Sequence, residues 1–126
     1  MKKISFEQFE KMMSYDVITN DACIEIEFCV DGFPEYSSCW LGKTVNRETN
    51  RADYWYGLVP DGSQAYNFNS LKEFISESIF QSSSIKEIWN LVTLFSIDGC
   101  DIDWRLLHYL GLEPGPIRRP ARPAKI

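Results

Sequence analysis

The chain has 126 residues, an apolar fraction of 44% and an aromatic fraction of 14%, values that are typical of one folded domain and exclude intrinsic disorder. The formal net charge is −5, but residues 113–126 hold four of the 13 basic residues and one of the 18 acidic ones, so residues 1–112 carry −8. Such an acidic body disfavours nonspecific binding to nucleic acid and anionic membranes, and it favours a basic protein partner.

Local patterns predict the first helix and the first strand. The capping box that begins at Ser5 opens a short amphipathic helix, which is expected to end at about Ser14. Apolar and polar side chains then alternate over residues 22–30, with Glu25 and Glu27 on the polar side. This alternation is typical of a half-buried antiparallel strand.

Three further strands are predicted in succession, over residues 38–45, 52–59 and 64–68. A polar stretch of six residues joins the first two strands, and the turn-forming sequence Pro60–Asp61–Gly62–Ser63 precedes the third. The β region is therefore predicted to be an antiparallel meander.

The strands over residues 38–45 and 52–59 are predicted to pair as a hairpin. In each of them a tryptophan stands two residues before a glycine: Trp40 before Gly42, and Trp55 before Gly57. The antiparallel register sets each tryptophan opposite the glycine of the other strand, so each indole is expected to lie over a glycine. Strand pairing does not determine which sheet face the helices cover. Two alternatives therefore stay open: the helices bury both indoles, or both indoles lie on an uncovered face.

The second half of the chain begins with two more capping boxes, at Ser70 and Ser84, which predict helices over residues 71–80 and 85–91. The β-branched and aromatic residues from position 92 to 97 predict a final strand.

A last helix is predicted over residues 102–110, with Asp101 as its N-cap and Gly111 as its stop. The predicted fold is α+β: an antiparallel meander sheet of four to five strands, an N-terminal helix, two helices packed on one face and a short C-terminal helix. Residues 1–112 form a single α+β domain, and residues 113–126 form a basic Pro/Arg-rich tail.

No pattern in the sequence predicts catalysis, a metal site or a cofactor. His108 is the only histidine, and the four cysteines follow neither a CxxC nor a zinc-site spacing. No apolar segment reaches membrane-spanning length, and the N-terminus lacks a signal-peptide pattern. We therefore expect a cytoplasmic, non-enzymatic protein with reduced cysteines. A small enzyme that uses Cys100 with His108 is the alternative from another class.

The acidic α+β body, the segment Asp53–Gly57 and the segment Ser70–Gly99 together resemble the immunity proteins of contact-dependent inhibition and other bacterial polymorphic toxin systems. The resemblance implies a protein that neutralises a cognate toxin, often a nuclease, by occluding its basic active-site surface. A second hypothesis is a phage-type or regulatory inhibitor of a nucleic-acid enzyme that acts by charge mimicry.

Acidic and aromatic side chains are the candidates for partner contact, because aromatic side chains bring large area at small entropy cost and carboxylates attract a basic surface. The candidate partner-binding residues are Asp53, Trp55, Trp40, Asp61, Asp101 and Asp103. Two plainer explanations compete with this one: surplus acid keeps a protein soluble, and acids at a helix start favour the helix dipole.

Overall fold

A computed structural model describes residues 1–112; the basic tail, residues 113–126, lies outside the described residues. One antiparallel sheet contains five strands: β1 (Ile24–Val30), β2 (Cys39–Asn46), β3 (Arg51–Gly57), β4 (Ala65–Phe68) and β5 (Val92–Ile97). Their order across the sheet is β4-β3-β2-β1-β5. The first four strands form the predicted meander and β5 pairs with the free side of β1, so the predicted α+β fold is confirmed.

Three α-helices have the N-caps that the sequence predicts: α1 (Phe6–Met13), α2 (Leu71–Ser76) and α3 (Ile102–Tyr109). The side chains of Ser5, Ser70 and Asp101 each accept a hydrogen bond from a backbone N–H in the first turn of their helix. These contacts satisfy backbone donors that have no partner inside the helix.

The α-helix predicted over residues 85–91 is wrong. The capping box itself forms: the backbone N–H of Glu87 donates to Ser84 Oγ at 3.2 Å, and that of Ser84 donates to the Glu87 carboxylate at 2.9 Å. The chain then continues as turns and a short 3-10 helix, Trp89–Leu91.

The burial of Trp89 explains why this segment does not continue as a helix. Its indole N–H donates to the carbonyl oxygen of Ile4 at 2.7 Å, and its ring centroid lies 4.4 Å from that of Phe9. Strand β5 begins at Val92, so the chain must become extended immediately afterwards. Tertiary packing therefore outweighs the local helix preference.

Helix α2 is also shorter than predicted, because it ends at Ser76 and the next residue is extended. The chain that follows Glu77 places Phe80 in the core, where it is 1% exposed. Its ring packs edge-on against the rings of Tyr36 and Tyr56, each at 5.6 Å between centroids.

All three helices pack on the sheet face that carries Tyr54 and Tyr56. The Tyr56 ring stacks on Phe74 of α2 at 4.2 Å, and its hydroxyl donates to the Phe74 carbonyl at 2.7 Å. Burial raises the pKa of the Tyr56 hydroxyl, so this donor stays protonated. Phe9 of α1 stacks on the same Phe74, which joins the two helices over the sheet.

Lys43 of β2 is a buried cation that binds backbone carbonyl groups at the C-terminus of helix α1. Its Nζ donates to the carbonyl oxygens of Met13 at 2.8 Å and Tyr15 at 2.7 Å, and it lies 5.0 Å from the ring centroid of Tyr54. Carbonyls at a helix C-terminus lack intrahelical partners, and a cation there is favourable. Burial lowers the pKa of the Lys43 ammonium. This side chain therefore ties α1 to the centre of the sheet.

Asp98 ties helix α3 to the start of β1. Its carboxylate accepts hydrogen bonds from the backbone N–H of Glu25 at 2.8 Å, from Arg105 Nε at 2.8 Å, and from the Tyr109 hydroxyl. The Tyr109 hydroxyl also contacts the carbonyl oxygen of Cys23. The C-terminal half of α3 consequently lies beside the first residues of β1.

The buried thiol of Cys39 predicts that the stability of this fold decreases at alkaline pH. This thiol is 0% exposed and donates to the carbonyl oxygen of Leu58, and burial raises its pKa from 9.0 to about 12. Between these values the unfolded chain releases the thiol proton while the folded chain keeps it. The Cys39 contribution to the free energy of unfolding should therefore fall by about 1.4 kcal/mol per pH unit above pH 9.

Urea unfolding of the wild type and of Cys39→Ala at pH 7, 8, 9 and 10 measures this contribution. The difference between the two proteins should be constant up to about pH 8 and then shrink. A difference that stays constant up to pH 10 would contradict the assignment of this titration to Cys39.

Candidate functional site

The sheet face opposite the helices consists of alternate residues of neighbouring strands. We call it the open face and define it by these residues: Glu25, Glu27, Trp40, Gly42, Thr44, Asp53, Trp55, Gly57, Ala65 and Asn67. The buried side chains of α1, α2 and α3 that join the main core pack on the other side of the sheet. Of the two alternatives left by the sequence, the helices therefore cover the tyrosine face, not the tryptophan face.

The β2–β3 register is the one that the sequence predicts, with Trp40 opposite Gly57 and Gly42 opposite Trp55. The Trp55 indole lies over Gly42. A Cβ atom on Gly42 would lie 2.5 Å from Cζ2 of Trp55 and still closer to the carbonyl oxygen of Ile24. No side chain fits at this position, so Gly42 is the point where β1, β2 and the Trp55 ring meet.

The second half of the indole-over-glycine prediction is wrong. A Cβ atom on Gly57 would have no neighbour within 4 Å, so the Trp40 ring does not cover this glycine. Trp40 is instead 37% exposed. Strand pairing places the two residues opposite each other, but the side-chain rotamer decides where the ring points.

Carboxylates flank the two indoles on the open face. Glu27 pairs directly with Trp40 across β1 and β2, and Glu25 pairs with Gly42 under the Trp55 ring. Asp53 lies opposite Thr44 and accepts a hydrogen bond from the Asn46 side chain at 3.0 Å. The alternation in β1 predicted a polar side for both glutamates, but their place beside the tryptophans needed the register of β1 against β2.

One cation, Arg51, lies at the first residue of β3 on the same side of the sheet as Asp53. Glu25, Gly42 and Trp55 lie opposite one another on β1, β2 and β3 and form one row across the sheet. Arg51 lies beyond this row, at the end of the sheet. The centre of the open face therefore combines aromatic area with negative charge.

The structure brings Trp40, Asp53 and Trp55 onto this one face and places the other three candidates elsewhere. Asp61 lies in the loop between β3 and β4, where hydrogen bonds from Ser63 lower the pKa of its carboxyl. Asp101 and Asp103 follow β5, at the opposite edge of the sheet from β4. Asp101 caps α3, and Asp103 forms an exposed ion pair of 2.8 Å with Lys2. A loop contact, a helix cap and an ion pair with the N-terminal segment thus engage these three side chains.

Cys100 and His108, the pair of the alternative enzyme hypothesis, each contact other groups. The Cys100 thiol lies 3.6 Å from the carbonyl oxygen of Asp98, and the His108 ring packs 5.6 Å from Tyr15 and 5.0 Å from Tyr109, centroid to centroid. Neither contact joins the thiol to the imidazole, as nucleophilic catalysis by the pair requires.

A cleft of about 450 Å³ lies beside the start of β1, lined by Asp21, Ala22, Cys23, Glu25, Asp98 and Arg105. Its opposite charges, Asp98 and Arg105, form an ion pair at 2.8 Å that fixes α3 to the sheet. Within residues 1–112, no group of three or more His, Cys, Asp or Glu side chains is arranged to hold a metal ion. No helix of this part of the chain has the length and apolarity needed to cross a membrane.

In comparisons with known proteins, no family model, no curated protein and no solved structure matches the chain. The open face and its chemistry are therefore the basis for a functional proposal.

The two glycines of the open face allow a matched test of its architecture. Gly42→Ala should destabilise the protein by about 2–4 kcal/mol, because the added methyl group meets both the Ile24 carbonyl and the Trp55 ring. Gly57→Ala should change the free energy of unfolding by less than about 1 kcal/mol, because its methyl group meets nothing. Urea unfolding monitored by circular dichroism measures both values. Equal effects at the two positions would contradict the asymmetry.

Proposed function

We propose that this protein is a non-enzymatic inhibitor that neutralises a cognate basic protein toxin, such as a nuclease, and that the open face is its contact surface. The observation that carries the proposal is the exposed ring of Trp40, which stands beside Glu27 on a sheet face that none of the described helices covers.

Aromatic area on this face supports a role in protein binding. Tryptophan is among the residues most enriched at interface hot spots, where its truncation commonly costs about 2 kcal/mol or more. The Trp55 ring is held against Gly42, so it needs little reordering when a partner covers it. Rigid aromatic area of this kind is well suited to the centre of an interface.

The charge of the protein supports a basic partner. Residues 1–112 carry −8, and strand β1 contributes Glu25 and Glu27 to the open face. A protein that binds nucleic acid needs a cationic surface for the phosphates, and an acidic protein is attracted to that same surface. Binding there would exclude the substrate and speed the encounter of inhibitor and toxin.

The test determines whether the gene immediately upstream encodes a basic nuclease toxin domain and measures the dissociation constant for that domain by calorimetry at several salt concentrations. Trp40→Ala should weaken a one-to-one complex by about 30-fold, the equivalent of about 2 kcal/mol. Ile18→Ala is the matched control, since Ile18 is likewise 37% exposed but lies outside the open face. The wild-type affinity should fall as salt rises.

A charge reversal gives a second arm of the test. Glu27→Lys should weaken the complex more than Glu77→Lys, which makes the same charge change at the end of α2. If both open-face variants bind the toxin as tightly as the wild type does, the face is not the contact surface. If the wild type binds no such domain, the proposed function is overturned.

A further inference from the structure

We propose that the basic tail, residues 113–126, binds the open face of its own molecule and competes there with the partner. The competition rests on the proposed function, whereas the binding of the tail to the face is independent of it. The tail would then regulate how much of the acidic, aromatic face is available to a partner.

The composition of the tail complements the open face. Its 14 residues include four prolines and four cations: Pro114, Pro116, Pro120, Pro123, Arg118, Arg119, Arg122 and Lys125. Proline-rich segments favour the extended polyproline II conformation and dock on aromatic surfaces at low entropic cost. Arginine also stacks on aromatic rings and forms forked hydrogen bonds with carboxylates.

The open face offers the groups that such a segment binds. Trp40 presents an exposed ring, and Glu27 stands directly beside it on the neighbouring strand. Glu25 adds a second carboxylate in the row that contains Trp55. Prolines would contact the indoles while arginines pair with the glutamates. This combination of aromatic rings and carboxylates distinguishes the face from a merely acidic surface.

The described chain ends just after helix α3, which Asp98 links to Glu25 of this row. The hydroxyl of Tyr109 and the backbone N–H of Glu25 bind the same carboxylate, that of Asp98. Helix α3 ends at Tyr109, and just after it Gly111 has a φ of +78° and the backbone N–H of Leu112 donates to the carbonyl oxygen of Leu107 at 2.9 Å. The tail therefore starts just beyond the helix that Asp98 links to the start of β1.

The tail is long enough to reach the face. Neighbouring strands are about 4.8 Å apart, so the β3 column that contains Trp55 lies about 10 Å from β1. Arg118 is the sixth residue after Leu112, and a chain of six residues can span about 20 Å. A segment tethered at this distance has an effective concentration in the millimolar range, so a weak contact is sufficient.

The experiment uses the full chain and a variant with Arg118→Gln, Arg119→Gln and Arg122→Gln. The control variant carries Lys11→Gln in α1, Lys72→Gln in α2 and Lys86→Gln beside Phe6 of α1. Its net charge equals that of the tail variant. The indole N–H resonances of Trp40 and Trp55 are recorded by NMR at protein concentrations from 20 to 500 μM.

The tail variant should shift the Trp40 and Trp55 indole resonances, and the control variant should not. In the wild type, added salt should move both resonances toward their positions in the tail variant. Identical resonances in the wild type and the tail variant would overturn the proposal. Resonances that change with protein concentration would also overturn it, because the tail would then bind a second copy.

The competition has a separate readout. The tail variant should bind the toxin nuclease domain about 10-fold more tightly than the control variant, because no tail must be displaced. If the resonances shift as expected but the two affinities are equal, the tail binds without competing. If neither variant binds the toxin, the proposed function fails, and the resonances alone still decide whether the tail occupies the face.

Discussion

The close approach of three elements at Gly42 is the constraint on which the rest of the structure depends. The Ile24 carbonyl and the Trp55 ring together leave no room for a Cβ atom there. This contact permits one register across β1, β2 and β3, since a slip of one residue would bring a side chain into the same space. The next residue, Lys43, consequently points to the other side of the sheet, where it ends helix α1.

The two faces of the sheet contain different kinds of aromatic residue. Tyr54 and Tyr56 face the helices, where Phe74 stacks on Tyr56 and Phe80 packs edge-on against it. The face that carries the tryptophans has no such partners among the described helices. Lys43 holds α1 on the tyrosine side, and Asp98 links α3 to the start of β1. Helix packing therefore leaves the tryptophan face available.

A sheet is a suitable scaffold for recognition because its surface is already ordered before a partner arrives. Backbone pairing holds Trp40, Trp55 and the two glutamates of β1 at set spacings, so binding costs less conformational entropy than on a flexible loop. Charge adds a long-range attraction to this short-range fit. The opposite charges of the body and the tail make the same face a target for the chain itself and for a basic partner.

Local interactions made much of this fold predictable from the sequence. Helix caps at Ser5, Ser70 and Asp101 involve residues three positions apart, and alternation in β1 reflects the geometry of a single strand. Local rules failed after Ser84, because the burial of Trp89 against distant residues ended the helix. The sequence by itself determined the five strands, the starts of the three α-helices and the β2–β3 register, since these follow from nearby residues. Only the tertiary structure decided which face the helices cover and where Trp40 points, because these depend on packing between segments far apart in the chain.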